Sequence, residues 1–396
     1  MQIAIICNFR VTEKEIDLSE SLELDMTGTL SAGNLETHPK QQDRARTVRL
    51  EFLDGLRAIA AVAVLIEHGG YHFIPNFAAM THTVFSFGKF GLACFFLVSG
   101  FVIPFSLEGR PGLRRFWILR FFRLYPLYWF SLGAALLLYS LGVSGALEPD
   151  FTPHLARNSL VNLTMLEGLL RIPYAIGLYY TLTIEMVFYV VCSALSAKNL
   201  LRYSYTICWM VLAAAAAIGV CLPLALHRRV EMAGLFYVVC LASGTVLYRF
   251  YRAKVSGNAM TALGGGIMVF VFAGTWLNYV ALKKADTFEH YTFVSVILPW
   301  AAAWALFLWL LARPHRKLPA ALLWIGRISY SLYLLHPLVL AFFGARKGNT
   351  LAFLLFTSIS LLVASGTHLT IERPAMRLGK RFQGLGPVDT LSTVAG

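Results

Sequence analysis

The chain has 396 residues, of which 57% are hydrophobic and only 14% are charged, and its mean hydropathy is +0.64. These values exclude a water-soluble domain of this size and indicate a polytopic membrane protein whose spans form one bundle. The net charge of +13 does not indicate a nucleic-acid partner, because the lysines and arginines lie in short loops between apolar runs. Such loop charges are typical of membrane proteins, where they set the orientation of the spans.

Residues 1–47 differ in composition from everything after them. The short apolar run at the start lacks the basic leader of a signal peptide, and an acidic stretch, TEKEIDLSESLELD, follows it. We expect a disordered cytoplasmic tail here. Arg44, Arg46 and Arg49 precede the first long apolar run, and the bias of positive charge toward the cytoplasm predicts that the N-terminus is inside.

Apolar segments long enough to cross a bilayer follow in series. They lie at 52–70, 84–106, 117–143, 178–197, 205–226, 234–251, 261–282, 291–312, 328–344 and 350–371. The shorter, more polar segment 158–172 is typical of an interfacial or re-entrant helix, and the C-terminus would change sides if it spanned. The predicted fold is therefore all-α, a bundle of about ten transmembrane helices with one short additional helix. A short basic cytoplasmic tail, 377–396, ends the chain.

The first span carries ionisable groups at both of its ends. Asp54 and Arg57 lie near its start, and Glu67 and His68 lie near its far end. Arg57 and His68 share one helix face and stand about 16 Å apart along the axis. Because ionisable residues within a span usually face a bundle interior or a wet cavity, we expect His68 to lie near the chemistry. The alternative is an Asp54–Arg57 pair that snorkels to one interface, with His68 at the other.

The inner loop before the third span, EGRPGLRRFWILRFFRLYPLYW, contains five arginines. Arg120 and Arg123 lie one turn apart, and two guanidinium groups on one face can bind phosphate or pyrophosphate bidentately. For Arg114 and Arg115, anchoring at lipid headgroups is the favoured interpretation. Arg120 and Arg123 lie deeper in the apolar run, which favours a ligand.

Two later spans also carry polar groups. Glu185 lies well inside a span and needs a partner, for which Arg57, Arg120 and Arg123 are candidates, and this structural role is favoured over that of a proton carrier. Near the end of the chain, Tyr330 and His336 lie on an otherwise apolar helix, where His336 is either a cavity residue or a satisfied core histidine.

The six cysteines form no CxxC pair, so neither a disulfide framework nor a metal site is expected.

Over roughly residues 48–376 these segments resemble the membrane acyltransferase-3 family. The family pattern of a basic residue, ten residues and a histidine is met by Arg57 and His68, and the paired Arg-x-x-Arg is met by Arg120 and Arg123. The FFxxSGF and SYxxYLxHxP-like segments are met by FFLVSGF at 95–101 and SYSLYLLHPL at 329–338. One departure is Tyr180, which stands where the family usually has Trp in the segment that ends at Glu185.

The resemblance implies an integral membrane O-acyltransferase of a bacterial inner membrane, with both termini cytoplasmic. Such enzymes move an acyl group, mostly acetyl, from cytoplasmic acyl-CoA to hydroxyls of polysaccharides, glycolipids or antibiotics. The expected cofactor is acetyl-CoA or another acyl-CoA, without a metal, and the expected partners are the lipid bilayer and a glycan, glycolipid or other hydroxyl acceptor. The alternative is a transporter of an anionic solute or glycolipid that uses the same Arg/His path, although no internal repeat is visible.

The resemblance also assigns roles to residues. His68 and Arg57 would be catalytic, with His68 either a general base or a covalent acyl carrier. The acyl-CoA would be held by Arg120, Arg123 and Arg57. Supporting roles fall to Asp54, Glu185, Tyr330 and His336.

Overall fold

The computed structural model describes residues 50–108, 112–282, 291–343 and 348–382, and within these ranges the regular structure is helical, with no strand. The predicted tail 1–47 lies outside the described residues, as does the end of the chain after residue 382. The α-helices are α1 (Glu51–Phe73), α2 (Phe77–Thr83), α3 (Phe87–Glu108), α4 (Leu113–Ser140), α5 (Leu155–Asn162), α6 (Tyr179–Ala197), α7 (Ser204–Ala216), α8 (Leu222–Leu226), α9 (Ala233–Tyr251), α10 (Gly257–Trp276), α11 (Phe293–Leu311), α12 (Ala320–Ala341), α13 (Thr350–Thr367) and α14 (Arg373–Arg381).

The predicted all-α membrane fold is confirmed. Among the described residues, eight helices are long and apolar enough to cross a bilayer, counting α7 with α8 as one continuous helix and α13 with α14 as another. Helices α1 and α12 have 23 and 22 residues and so also have the length to span. Both pack in the interior of the bundle, where α1 lies against α3 on one side and against α12 on the other.

Glycines allow the central helices to approach closely. A methyl group on Gly326 of α12 would overlap the backbone carbonyl of Asp54 in α1. In the same way, Gly100 of α3 faces Gly244 of α9, and a methyl group on either would overlap the other helix's backbone. Small residues at such crossings bring backbones together in membrane bundles. The result is a fixed register of α12 against α1 and of α3 against α9.

The segment 144–178 forms a compact cap rather than another span. Helix α5 has eight residues, too few to cross a bilayer, which agrees with the predicted interfacial or re-entrant helix. The side chain of Asn162 accepts from the Ala175 backbone N–H at 3.0 Å and donates to the Pro173 carbonyl at 3.0 Å. These bonds hold the two halves of the segment together at one end of α4 and α6.

The last membrane helix continues past a π-helical turn. Helix α13 runs through His368–Glu372 into α14, so the first residues of the predicted basic tail are helical. Glu372 is almost fully buried and accepts hydrogen bonds from Ser331 Oγ at 2.8 Å and His368 Nδ1 at 3.0 Å. Because Ser331 belongs to α12, this carboxylate fixes α12 against α13.

Candidate active site

A cavity with about 720 Å³ of empty space lies between α1, α3, α4, α6 and α12. Its walls are largely aromatic and aliphatic. The polar side chains that line it are Arg57, Ser99, Arg120, Arg123, Thr181, Glu185, Tyr189, Ser329, Tyr330 and Tyr333.

Three arginines predicted from the sequence meet in this cavity. Arg57 is contributed by α1, and Arg120 and Arg123 are contributed by α4. Arg57 lies 3.7 Å from Asp54, so the two charged residues near the start of the first span are close together, and Arg57 lines the cavity. Even when Asp54 and Glu185 are both counted, the three guanidinium groups leave an excess of positive charge. Such an excess in an apolar interior is unfavourable unless an anion neutralises it.

The two arginines of α4 are held differently. Arg120 donates from Nη2 to Ser106 Oγ at 2.9 Å, and its guanidinium carbon lies 5.4 Å from the ring centroids of both Phe116 and Tyr189. Two aromatic faces and a hydroxyl therefore fix its orientation. Arg123 makes no hydrogen bond, ion pair or ring contact with another described residue, so its donors remain available to a ligand.

Glu185 is bound by hydroxyl groups. Its Oε1 accepts hydrogen bonds from Ser99 Oγ at 2.9 Å and from Tyr189 OH at 2.5 Å. No ion pair joins it to an arginine within the described part of the chain, so the direct arginine partner expected from the sequence is not observed. Tyr189, one turn later on α6, and Ser99, across from it on α3, supply the donors that the carboxylate needs.

Helix α12 lines the cavity with one face. The Tyr330 hydroxyl donates to the Leu124 carbonyl at 2.9 Å, and the Tyr333 hydroxyl lies 2.8 Å from Thr181 Oγ1. His336 follows on the same face, with its ring centroid 6.3 Å from that of Tyr333. The three residues, spaced three apart, lead from the arginines toward His68, as their common face predicts.

His68 and His336 form a pair at the end of this path. His68 Nδ1 lies 2.9 Å from the Val64 carbonyl and His336 Nδ1 lies 2.9 Å from the Leu332 carbonyl, so each Nδ1 is the protonated donor. His336 Nε2 then carries a lone pair, and it lies 3.4 Å from His68 Nδ1. His68 Nε2 also carries a lone pair in the neutral ring. His68 can therefore accept a proton at Nε2, while His336 Nε2 faces the Nδ1–H on the other side of the His68 ring and stabilises the protonated form.

Glu67, the residue before His68, serves another purpose. Its Oε1 accepts from Ser86 Oγ at 2.8 Å and its Oε2 accepts from the Phe87 backbone N–H at 2.9 Å. The carboxylate therefore satisfies the first turn of α3, where a negative charge is favourable. His68 is oriented by the His336 ring and the Val64 carbonyl rather than by this carboxylate.

Sequence reasoning missed two side chains of the site. Tyr189 contacts both Glu185 and Arg120, and Ser106 fixes Arg120. Tyr189 follows Glu185 by four residues, so the helical period could have identified it. Ser106 carried no such signal, because it meets Arg120 only through the packing of α3 against α4.

Comparison with known proteins identifies the family of the chain. The sequence matches the acyltransferase domain family over residues 50–368, which includes every site residue named above. A relative, "Acyltransferase MdmB" from Streptomyces mycarofaciens, is 36% identical over 101 residues, which is 24% of this chain and 26% of the relative. No solved structure matches the chain. The family match covers most of the chain, and the chain therefore belongs to the acyltransferase-3 family of multi-pass membrane acyltransferases.

Proposed function

We propose that the protein transfers an acyl group, acetyl in the first instance, from acyl-CoA to a hydroxyl group of a carbohydrate-containing acceptor. The observation that carries the proposal is the convergence of Arg57, Arg120 and Arg123 on one cavity whose α12 wall leads to His68 and His336. Coenzyme A carries a pyrophosphate and a 3′-phosphate, which match an excess of buried guanidinium groups. Arg123 would bind a phosphate directly, and Arg57 would face the same end of the donor.

The chemistry assigned to His68 is general base catalysis. The lone pair on Nε2 takes the proton of the acceptor hydroxyl while the hydroxyl oxygen attacks the thioester carbonyl carbon. The carbon–sulfur bond then breaks, and the proton held on Nε2 passes to the leaving thiolate. Arg57 stands about 16 Å from His68 along α1, three turns away, so it acts on the phosphate end of the donor rather than on the reacting carbonyl.

The proposed orientation places the arginines toward the cytoplasm and His68 toward the outer half of a bacterial inner membrane, with both termini inside. The basic residues that flank α1 and α4 support this orientation through the positive-inside bias. The acyl group would then cross the bilayer within the protein. Labelling of a cysteine placed at position 68 from the cytoplasmic side alone would contradict it.

The test is turnover of acetyl-CoA by the purified protein, with a methyl glycoside or water as acceptor. His68→Ala is expected to lower kcat about 10²- to 10⁴-fold, the usual contribution of a general base. Arg123→Ala is expected to raise the KM for acetyl-CoA about tenfold or more, since it removes hydrogen bonds to a charged group. Arg114→Ala is the matched control, because Arg114 is an exposed arginine on α4 that does not line the cavity.

The outcomes separate the possibilities. Normal turnover in His68→Ala would show that another residue acts as the base. An unchanged KM for acetyl-CoA in Arg123→Ala would show that the arginine cluster does not bind the donor. Failure of the wild-type protein to bind or turn over acetyl-CoA would overturn the proposal and favour the transporter.

A further inference from the structure

The histidine pair lies beyond the lining of the arginine cavity. Residues of α1, α3, α4, α6 and α12 line that cavity, but neither His68 nor His336 is among them. The two histidines form one unit, with 3.4 Å between His336 Nε2 and His68 Nδ1. In the proposed reaction, a donor whose phosphates lie at the arginines therefore has to bring its thioester past the end of the cavity.

Tyr333 borders both parts of the site. Its side chain lines the arginine cavity, and its ring centroid lies 6.3 Å from that of His336. One aromatic ring of α12 thus lies next to the donor cavity and next to the histidine pair. A thioester that approaches His68 from the arginines has to pass this ring.

Tyr333 is held by two other helices. Its hydroxyl lies 2.8 Å from Thr181 Oγ1 on α6. Because the Thr181 hydroxyl donates to the Leu178 carbonyl at 2.8 Å, Tyr333 is the donor in this bond. From α3, the Phe95 ring meets the Tyr333 ring edge-on, with 5.6 Å between centroids and 70° between planes. The ring is therefore fixed between α3, α6 and α12, and it is only 6% exposed.

The wall formed by these two rings cannot give way freely. Phe95 also lines the arginine cavity, and it packs against the buried apolar cluster that contains Leu65 and Leu332. A protein interior is close-packed, so a group that is too large for its space must displace side chains at a cost in free energy. A short acyl group can lie beside the two rings, whereas each added methylene has to push them aside.

We propose that Tyr333, together with Phe95, sets the length of the acyl group that the protein transfers and restricts it to short chains such as acetyl. The inference rests on the proposed acyl transfer and adds the acyl specificity of the donor to it. Tyr333 is a specificity-determining residue in this assignment, because its ring limits the acyl chain while His68 takes the proton.

The test compares kcat/KM for acetyl-CoA and hexanoyl-CoA with the same methyl glycoside as acceptor, measured as release of free CoA. The wild type is expected to prefer acetyl-CoA. Tyr333→Ala removes the ring and should raise the ratio of hexanoyl to acetyl kcat/KM by about tenfold or more, since one methylene in an apolar pocket already changes specificity by about that factor. Tyr333→Phe keeps the ring and should leave the ratio within about threefold of wild type.

Phe95→Leu tests the same wall without removing the bond between Tyr333 and Thr181. It should shift the ratio toward hexanoyl-CoA in the same direction, which guards against a Tyr333→Ala protein that does not fold. Phe105→Leu is the matched control on α3, because Phe105 is 41% exposed and does not line the cavity.

Three results would overturn the assignment. These are a wild type that uses hexanoyl-CoA as well as acetyl-CoA, an unchanged ratio in both Tyr333→Ala and Phe95→Leu, and a shift in Tyr333→Phe as large as that in Tyr333→Ala. A wild type that turns over neither acyl-CoA would instead overturn the proposed function.

Discussion

Replacement of His336 tests whether the histidine pair works as a unit. His336 Nε2 lies 3.4 Å from His68 Nδ1, which also lies 2.9 Å from the Val64 carbonyl. At 3.4 Å the contact is weak in the neutral state, and it strengthens when His68 gains a proton, because bonds to charged donors are shorter and stronger. We take the lower end of the range for such bonds, about 1.5 kcal/mol, which corresponds to about a tenfold change in rate.

The assay is kcat for acyl transfer at saturating acetyl-CoA in His336→Asn and His336→Phe. His336→Phe is expected to lower kcat about tenfold with little change in the KM for acetyl-CoA, because His336 is not among the residues that line the arginine cavity. His72→Asn is the matched control, since His72 Nδ1 lies 3.1 Å from the His68 carbonyl and its ring packs beside Phe73 rather than beside His336. If both His336 variants kept kcat within twofold of wild type while remaining folded, the reasoning about the pair would be refuted.

Two further predictions concern carboxylates. Glu185→Gln is expected to lower the KM for acetyl-CoA severalfold, because it removes a negative charge from a cavity that binds an anion; an unchanged or higher KM would contradict the charge argument. Burial raises the pKa of Glu167, in the loop before α6, from 4.5 to about 7, so the folded state keeps a proton that the unfolded state releases. Stability should therefore fall as pH rises from 4.5 to 7, by at most about 3 kcal/mol. Glu167→Gln should have a higher melting temperature than wild type at pH 8 and the same melting temperature at pH 4. Equal melting temperatures of the two proteins at both pH values would contradict this prediction.

The sequence allowed the fold class and one end of the site to be predicted because both depend on local patterns. The apolar runs fix the helices through their length alone. Arg120 and Arg123 share a face because of the helical period, and Arg57 and His68 do so for the same reason. These relations hold within one helix, so no knowledge of tertiary packing was needed.

The rest of the site depends on contacts between helices that are distant in the chain. His68 and His336 belong to α1 and α12, and nothing in either segment specifies that their rings meet. The direct contacts of Glu185 in the described part of the chain are with hydroxyl groups, since a buried carboxylate can be satisfied by hydroxyls as well as by a cation. The hydrogen bond from Ser99 to Glu185 likewise follows from the register of α3 against α6.

Because the arginine cavity has an excess of positive charge, we expect the stability of the purified protein to depend on which salt the buffer contains. Without donor, Arg57, Arg120 and Arg123 repel one another across a space that water and small anions must fill. We therefore expect multivalent anions such as sulfate or phosphate in a buffer to stabilise the folded protein and to compete with the proposed acyl-CoA donor. Chloride at the same ionic strength screens the arginines but lacks the geometry to bridge two guanidinium groups.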